Sequence, residues 1–323
     1  PAHVSLSADC IRRKISYAKI PSWNIDVLKL LIFIVYLYAG LAKINTEWLI
    51  HAKPLSIWLP GKYDLPLIGS FMSKKWVHFI MSWCGMFFDV LIGFFLLSRK
   101  YRNIAFCFVI VFHLMTGLFF PSIGMFPYIM IFAASIFLDP KIHSKILKYF
   151  GGLISSVKLK EVDFFKKGRS KFVYFVLVAF ISFQILFPFR YLFYNGELFW
   201  TEEGYRFSWR VMLVEKAGFC TFKILDNKTG RSFLIDNSDF LTDHQEKQMS
   251  FQADMILEYA HFLGDHYKKN GIANPSVYVD SYVALNGRLS KRFISNDVDL
   301  LKEKDSFKSK KWILPFNDEI TGF

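Results

Sequence analysis

A chain of 323 residues with 53% hydrophobic content, a mean hydropathy of +0.28 and 37 phenylalanines carries more apolar side chain than a soluble core requires. Composition therefore excludes an ordinary soluble domain and indicates a membrane protein. The formal net charge of +13 does not argue for nucleic acid, because the basic residues lie mostly between apolar segments and no groove-binding motif accompanies them.

Residues 1–26 are polar and basic, with Arg12, Arg13, Lys14 and Lys19, and lead into an apolar segment predicted as a membrane span over 27–43. A loop over 44–75 follows, rich in proline and glycine, with Trp48 and Trp58 placed like interfacial anchors. Further spans are predicted over 76–97, 103–120, 125–138 and 172–189. The turn between the third and fourth contains Pro121 and Gly124, and the fourth is short for a full crossing. Residues 139–171 hold nine basic residues (Lys141, Lys145, Lys148, Lys158, Lys160, Lys166, Lys167, Arg169, Lys171) against three acidic ones (Asp139, Glu161, Asp163). Basic residues favour the cytoplasmic side, so 1–26, 98–102 and 139–171 are expected inside. The loop 44–75, the turn 121–124 and everything after 190 are then expected outside, in a periplasm or lumen.

From residue 190 the chain becomes mixed and polar. Phe219–Ile224 and Ser232–Ile235 flank Asp226–Gly230, a hairpin signal. Thr242–Tyr267 reads as one amphipathic helix, and Val277–Leu285 as a strand ending at Asn286-Gly287. The expected fold is a multi-pass α-helical membrane domain, residues 1–190, followed by an extracytoplasmic mixed α/β region, residues 191–323.

Ionisable side chains beside or within apolar segments are the candidates for chemistry, because burying them is expensive. Lys43 ends the stretch YLYAGLAKINTEW (Tyr36–Trp48). It reads either as a snorkelling anchor or as a base, the latter requiring desolvation by its apolar surroundings. Asp89 and His113 lie inside spans. Each suits an interhelical hydrogen bond, although His113 is also placed to reach a pocket below the outer face. The segment WTEEGYRFSWRVM (Trp200–Met212) is either an interfacial aromatic belt or the wall of a cleft in which Arg206 and Arg210 meet carboxylates. There is no phosphate-binding glycine loop, no G-x-S-x-G and no H-E-x-x-H; the eight histidines are scattered, and no metal is expected. Cys84 and Cys107 lie in apolar segments, and Cys10 and Cys220 form no recognisable spacing.

The order of these segments resembles the vitamin K-dependent gamma-carboxylases and their bacterial homologues. IFIVYLYAGLAKINTEW, the D-x-x-x-G-F-x-L-L pattern from Asp89, HLMTGLFFPSIGMFPYIM from His113, WTEEGYRFSWRVM, QADMILEYA and VYVDSYVALNGR carry the resemblance through nearly the whole chain. It implies that reduced vitamin K, with O2 and CO2 as co-substrates, drives conversion of peptide glutamate to gamma-carboxyglutamate while the vitamin leaves as its epoxide. It also implies Lys43 as catalytic base, and His113 with Ser122–Phe126, Gly124 among them, as a second functional segment. Trp200, Tyr205, Arg206, Ser208, Trp209 and Arg210 are implied to bind glutamate, and Asp89 to play an orienting part. The expected partners are a glutamate-containing peptide and the lipid bilayer. Further helices and a histidine that the family carries before this region have no counterpart here, so a bacterial-type or incomplete member is expected. Two other readings stay open: quinol oxygenation coupled to a non-protein substrate, and a non-catalytic membrane binding or transport protein.

Overall fold

The computed structural model describes residues 15–17, 22–150, 160–162, 171–318 and 320–323. Cys10 and the basic residues Arg12, Arg13, Lys14, Lys19, Lys158, Lys166, Lys167 and Arg169, used above for orientation, lie outside the described residues. The chain divides into two compact units. The first comprises residues 1–41 and 85–186, and the second residues 42–84 and 187–323.

The first unit is helical. Its elements are α1 (Trp23–Leu41), the later part of α2 (Lys75–Leu97), α3 (Arg102–Phe119), α4 (Phe126–Ala134), α5 (Pro140–Phe150) and α6 (Lys171–Leu186). Among them β1 (Ile15–Tyr17) pairs in parallel with β2 (Lys160–Val162). Among the described residues four helices are long and apolar enough to cross a membrane: α1, α2, α3 and α6 with its continuation to Phe193. At 1.5 Å per residue, α2 extends about 34 Å, enough for a hydrocarbon core of about 30 Å. The apolar stretch expected over 125–138 is the short helix Phe126–Phe137. It spans only about 18 Å and cannot cross such a core alone.

These helices are apolar on nearly all sides, as expected where lipid replaces water. Phe172 and Phe175 of α6 are 73% and 71% exposed, which would be costly in water and costs nothing against acyl chains. The packed interior is small: Tyr36, Ile92, Leu96, Ala105, Val109, Met130, Ala134 and Phe137. Gly40 lets α1 approach α2 closely, since a Cβ there would sit 2.5 Å from the Val90 amide nitrogen. Phe33 likewise lies against Gly93 and meets Phe94 edge-on at 4.9 Å.

The second unit is built on an antiparallel sheet in the order β4-β3-β5-β6, where β3 is Lys216–Asp226, β4 Ser232–Leu234, β5 Pro275–Leu285 and β6 Lys291–Arg292. The hairpin expected around Asp226–Gly230 is present, with Gly230 at φ +72° and Lys223 opposite Leu234. Strand β5 pairs with β3 along its whole length, Lys216 opposite Leu285 and Asp226 opposite Pro275. Phe222, Ile224, Val277 and Val279 on the buried sheet face pack with Ile256, Ala260 and Leu263 to form the core.

The single helix expected over Thr242–Tyr267 is two: α7 (Asp243–Met249) and α8 (Ala253–Lys269). Thr242 and Gln245 form a reciprocal capping box that starts the first. The break falls where Ser250 serves the sheet, its hydroxyl donating to Gly218 O at 2.9 Å and its carbonyl accepting from the Cys220 thiol at 3.3 Å. Apolar periodicity runs through both helices and so hides the interruption.

Alanine at position 40 would favour an uncrowded helix by about 1 kcal/mol, yet Gly40→Ala is expected to destabilise this one by about 1–3 kcal/mol. A lowered thermal midpoint in detergent is the measurement that checks it.

Candidate functional site

Two residues after α1 ends at Leu41, the chain turns sharply, and Lys43 lies in that turn. Asn45 holds both sides of it: the Asn45 amide donates to Ala42 O at 2.8 Å, and its oxygen accepts from Trp48 N at 2.9 Å, capping the single helical turn Thr46–Leu49. Lys43 is only 7% exposed, and its Nζ lies 5.3 Å from the centre of the Trp48 ring. Trp48 is fixed in turn by Ser82, whose carbonyl accepts from the indole N–H at 2.7 Å and whose hydroxyl donates to Trp48 O.

Glu47, on the same helical turn, is 2% exposed. Its carboxylate accepts from Arg288 Nη1 at 2.9 Å, Arg288 Nη2 at 2.8 Å and Asn286 Nδ2 at 2.9 Å. The two donors are delivered by the turn after β5, where Asn286 (φ +50°) and Gly287 (φ +74°) reverse the chain. Burial would raise the Glu47 pKa, but the hydrogen bonds from Arg288 and Asn286 and the guanidinium charge outweigh it and hold it below the ordinary carboxylate value.

A third segment, residues 320–323, closes on the same turn. Thr46 N donates to Thr321 O and Phe323 N to Ile44 O, both at 2.9 Å, and Gly322 (φ +140°) lies against Asn45. Ile320 N donates to Glu197 Oε2 at 3.1 Å, and Arg210 Nη1 donates to Phe323 O at 2.9 Å.

The aromatic segment divides into scaffold and rim. Trp200 is a core residue, 1% exposed, stacked on Phe316 with ring centres 4.8 Å apart and donating to Leu314 O at 2.8 Å. Burial pushes the Tyr205 phenol up, and it donates to Arg210 O at 2.6 Å; Ser208 is buried and donates to Tyr205 O. Trp209 adopts φ +59°, and Arg210 stacks on Tyr191 at 4.6 Å. Of the six residues expected to bind glutamate, Arg206 lines an open cavity, about 370 Å³ in volume, with Arg190, Tyr194, Glu203, Phe307 and Lys310. Arg206 pairs with Asp254 at 2.5 Å and remains 63% exposed along its side chain. Behind the segment, Lys216 Nζ donates to Glu202 Oε1 at 2.7 Å and to Trp200 O at 2.8 Å. Burial lowers the Lys216 pKa while Glu202 opposes that shift.

His113 belongs to the first unit. Its Nε2 hydrogen-bonds the Tyr36 hydroxyl at 2.9 Å, and its Nδ1 is buried with no partner among the described residues. Phe88 stacks on Phe112 at 3.8 Å and meets His113 edge-on at 6.3 Å. An apolar groove of about 320 Å³ runs past Phe87, Phe88, Leu91, Tyr101 and Phe108. Asp89 is 6% exposed on α2, beside the close approach of Gly40. Gly124 takes φ +65° at the end of the short helix Pro121–Ile123.

An apolar helical unit combined with a sheet-and-helix unit defines a membrane protein carrying a mixed α/β domain of lumenal type. Residues 169–319 match the lumenal domain of vitamin K-dependent gamma-carboxylase, and residues 1–141 match the HTTM domain. The lumenal-domain match, which covers a little under half of the chain, is to the gamma-carboxylase family. No solved structure matches it significantly.

Sequence reasoning did not single out Tyr36, Glu47, Arg288 or residues 320–323. Glu47 stood inside the quoted stretch and Asn286-Gly287 was legible as a turn, but no local pattern pairs positions 239 residues apart.

Because the Glu47 pKa is depressed on folding, the stabilisation is fully present above the unfolded carboxylate value of about 4.3 and is lost as pH falls through the folded value. Acid unfolding of wild type should therefore show a component below about pH 4 that Glu47→Gln lacks, measured by fluorescence across a pH series.

Proposed function

We propose that the protein is a vitamin K-dependent gamma-glutamyl carboxylase. Peptide glutamate, carbon dioxide, dioxygen and reduced vitamin K would yield gamma-carboxyglutamate, vitamin K epoxide and water. The observation that carries this reading is Lys43, a buried amine in a turn fixed on three sides, in a chain matched over residues 169–319 by this family's lumenal domain. When bound, reduced vitamin K supplies the oxidisable ring whose reaction with dioxygen provides the driving force and the strong base for removing the glutamate γ-proton. Lys43 Nζ would take the hydroxyl proton of the quinol, and its burial beside the Trp48 ring limits the water that would compete for that proton.

The first unit suits an apolar quinol. Its groove is lined by aromatic and aliphatic side chains, and His113 Nδ1, with no partner among the described residues, is a buried polar atom that a ligand hydroxyl could meet. The Tyr36 hydroxyl holds the other ring nitrogen and so orients the imidazole. In the second unit Arg206, at the rim of the cavity, is the group proposed to meet a substrate carboxylate. The domain assignment, membrane domain to residue 190 and extracytoplasmic region beyond, belongs to the same proposal, as does the placement of the loop 44–75 outside.

Lys43→Ala is expected to lower epoxide formation by about a hundredfold or more in purified protein supplied with reduced vitamin K. Unchanged epoxide formation would show that Lys43 is not the base. Mass spectrometry of a glutamate-rich peptide after turnover should reveal a gain of one carbon dioxide. Epoxide without that gain would point to a different acceptor. For orientation, Ile50→Cys in a background lacking Cys84 and Cys107 should react with an impermeant maleimide in intact cells or sealed right-side-out vesicles. Reaction only after permeabilisation would reverse the topology.

A further inference from the structure

The turn that carries Lys43 is held by residues with no part in proton transfer. From one side comes the Arg288 fork on Glu47, with both guanidinium nitrogens engaged and Asn286 completing the set. Arg288 is itself steadied by Asp318, 3.6 Å from its Nε. From the other side, residues 320–323 lay their backbone along Ile44–Thr46. This contact leaves no room at position 322: a Cβ there would lie 2.5 Å from Asn45 Cα and 2.5 Å from Ile44 O. Between the two, Asn45 ties Ala42 to Trp48 across Lys43.

We infer that Glu47 and Arg288, with the strap at residues 320–323, form a positioning clamp that fixes the Lys43 amine over the Trp48 ring. This inference rests on the reading of Lys43 as the base and adds residues that set its geometry. A lysine side chain has four rotatable bonds and loses rotamer entropy when held, so its backbone must be rigid for the amine to stay in one place. A carboxylate as buried as Glu47 is tolerated only with its hydrogen bonds complete, so any movement of the turn breaks a charged contact. The clamp thus makes displacement of Lys43 costly. Neither Glu47 nor Arg288 is required to touch substrate.

The full chain in detergent or nanodiscs is compared with Glu47→Gln, Arg288→Lys and Gly322→Ala by two readouts. The first is kcat and KM for epoxide formation from reduced vitamin K. The second is the rate at which Lys43 is acylated by a water-soluble amine-reactive ester, followed by peptide mass spectrometry. Glutamine cannot pair with the guanidinium as an ion, lysine cannot supply the fork, and alanine pushes the strap from Asn45. All three should lower kcat by about tenfold with KM within about twofold, and raise Lys43 acylation several-fold. Wild-type acylation of Lys43 in folded Arg288→Lys and Gly322→Ala overturns the clamp, even where thermal stability has fallen. If Glu47→Gln fails to fold, those two variants carry the same test. Epoxide formation that survives Lys43→Ala would remove the base, while the acylation rates still decide whether the clamp holds the amine.

Discussion

The second unit depends on the burial of one carboxylate. Glu47 has almost no contact with solvent, and an ion in that position would destabilise the fold by several kcal/mol without compensation. Compensation comes from three charge-assisted or polar hydrogen bonds, two of them a fork–fork contact with Arg288. The turn after the lysine is therefore tied to the sheet by a contact that tolerates little displacement. Lys216 and Glu202 repeat the device behind the aromatic segment, the ammonium sealed from water and answered by one carboxylate and one carbonyl. Buried pairs of this kind add little net stability over apolar residues, but they penalise misplacement steeply, a property suited to holding a geometry.

The first unit obeys a different solvent. Its interior cluster is modest, and the outward faces of α3 and α6 are as apolar as its core. Packing there cannot draw on the hydrophobic effect between helices and relies on close approach, as at Gly40 and Gly93, with a few polar contacts such as Tyr36 with His113. In such a unit His113 Nδ1, buried with no partner among the described residues, is conspicuous.

The aromatic segment shows how side-chain chemistry read along the chain differs from side-chain chemistry in the fold. Trp200, Tyr205 and Ser208 belong to types that recognise ligands, yet each spends its polar atom on a backbone carbonyl. Arg210 is turned to the strap at Phe323, and Arg206 remains at the rim. The segment builds a wall, and Thr201, Glu202, Glu203, Gly204 and Arg206 face the cavity.

The amino-acid sequence by itself determined the apolar helices, the hairpin at Asp226–Gly230, a strand over 277–285 and the place of Lys43 at a helix end. Each of these is written locally, in a run of apolar residues or in the turn chemistry of a few neighbours. Only the tertiary structure decided that the helix from Thr242 breaks at Ser250, that Tyr36 meets His113 across 77 positions, and that Glu47 finds Arg288 across 241. Such contacts leave no period in the sequence, because a hydrogen bond needs one donor and one acceptor brought together and constrains nothing about the residues between them.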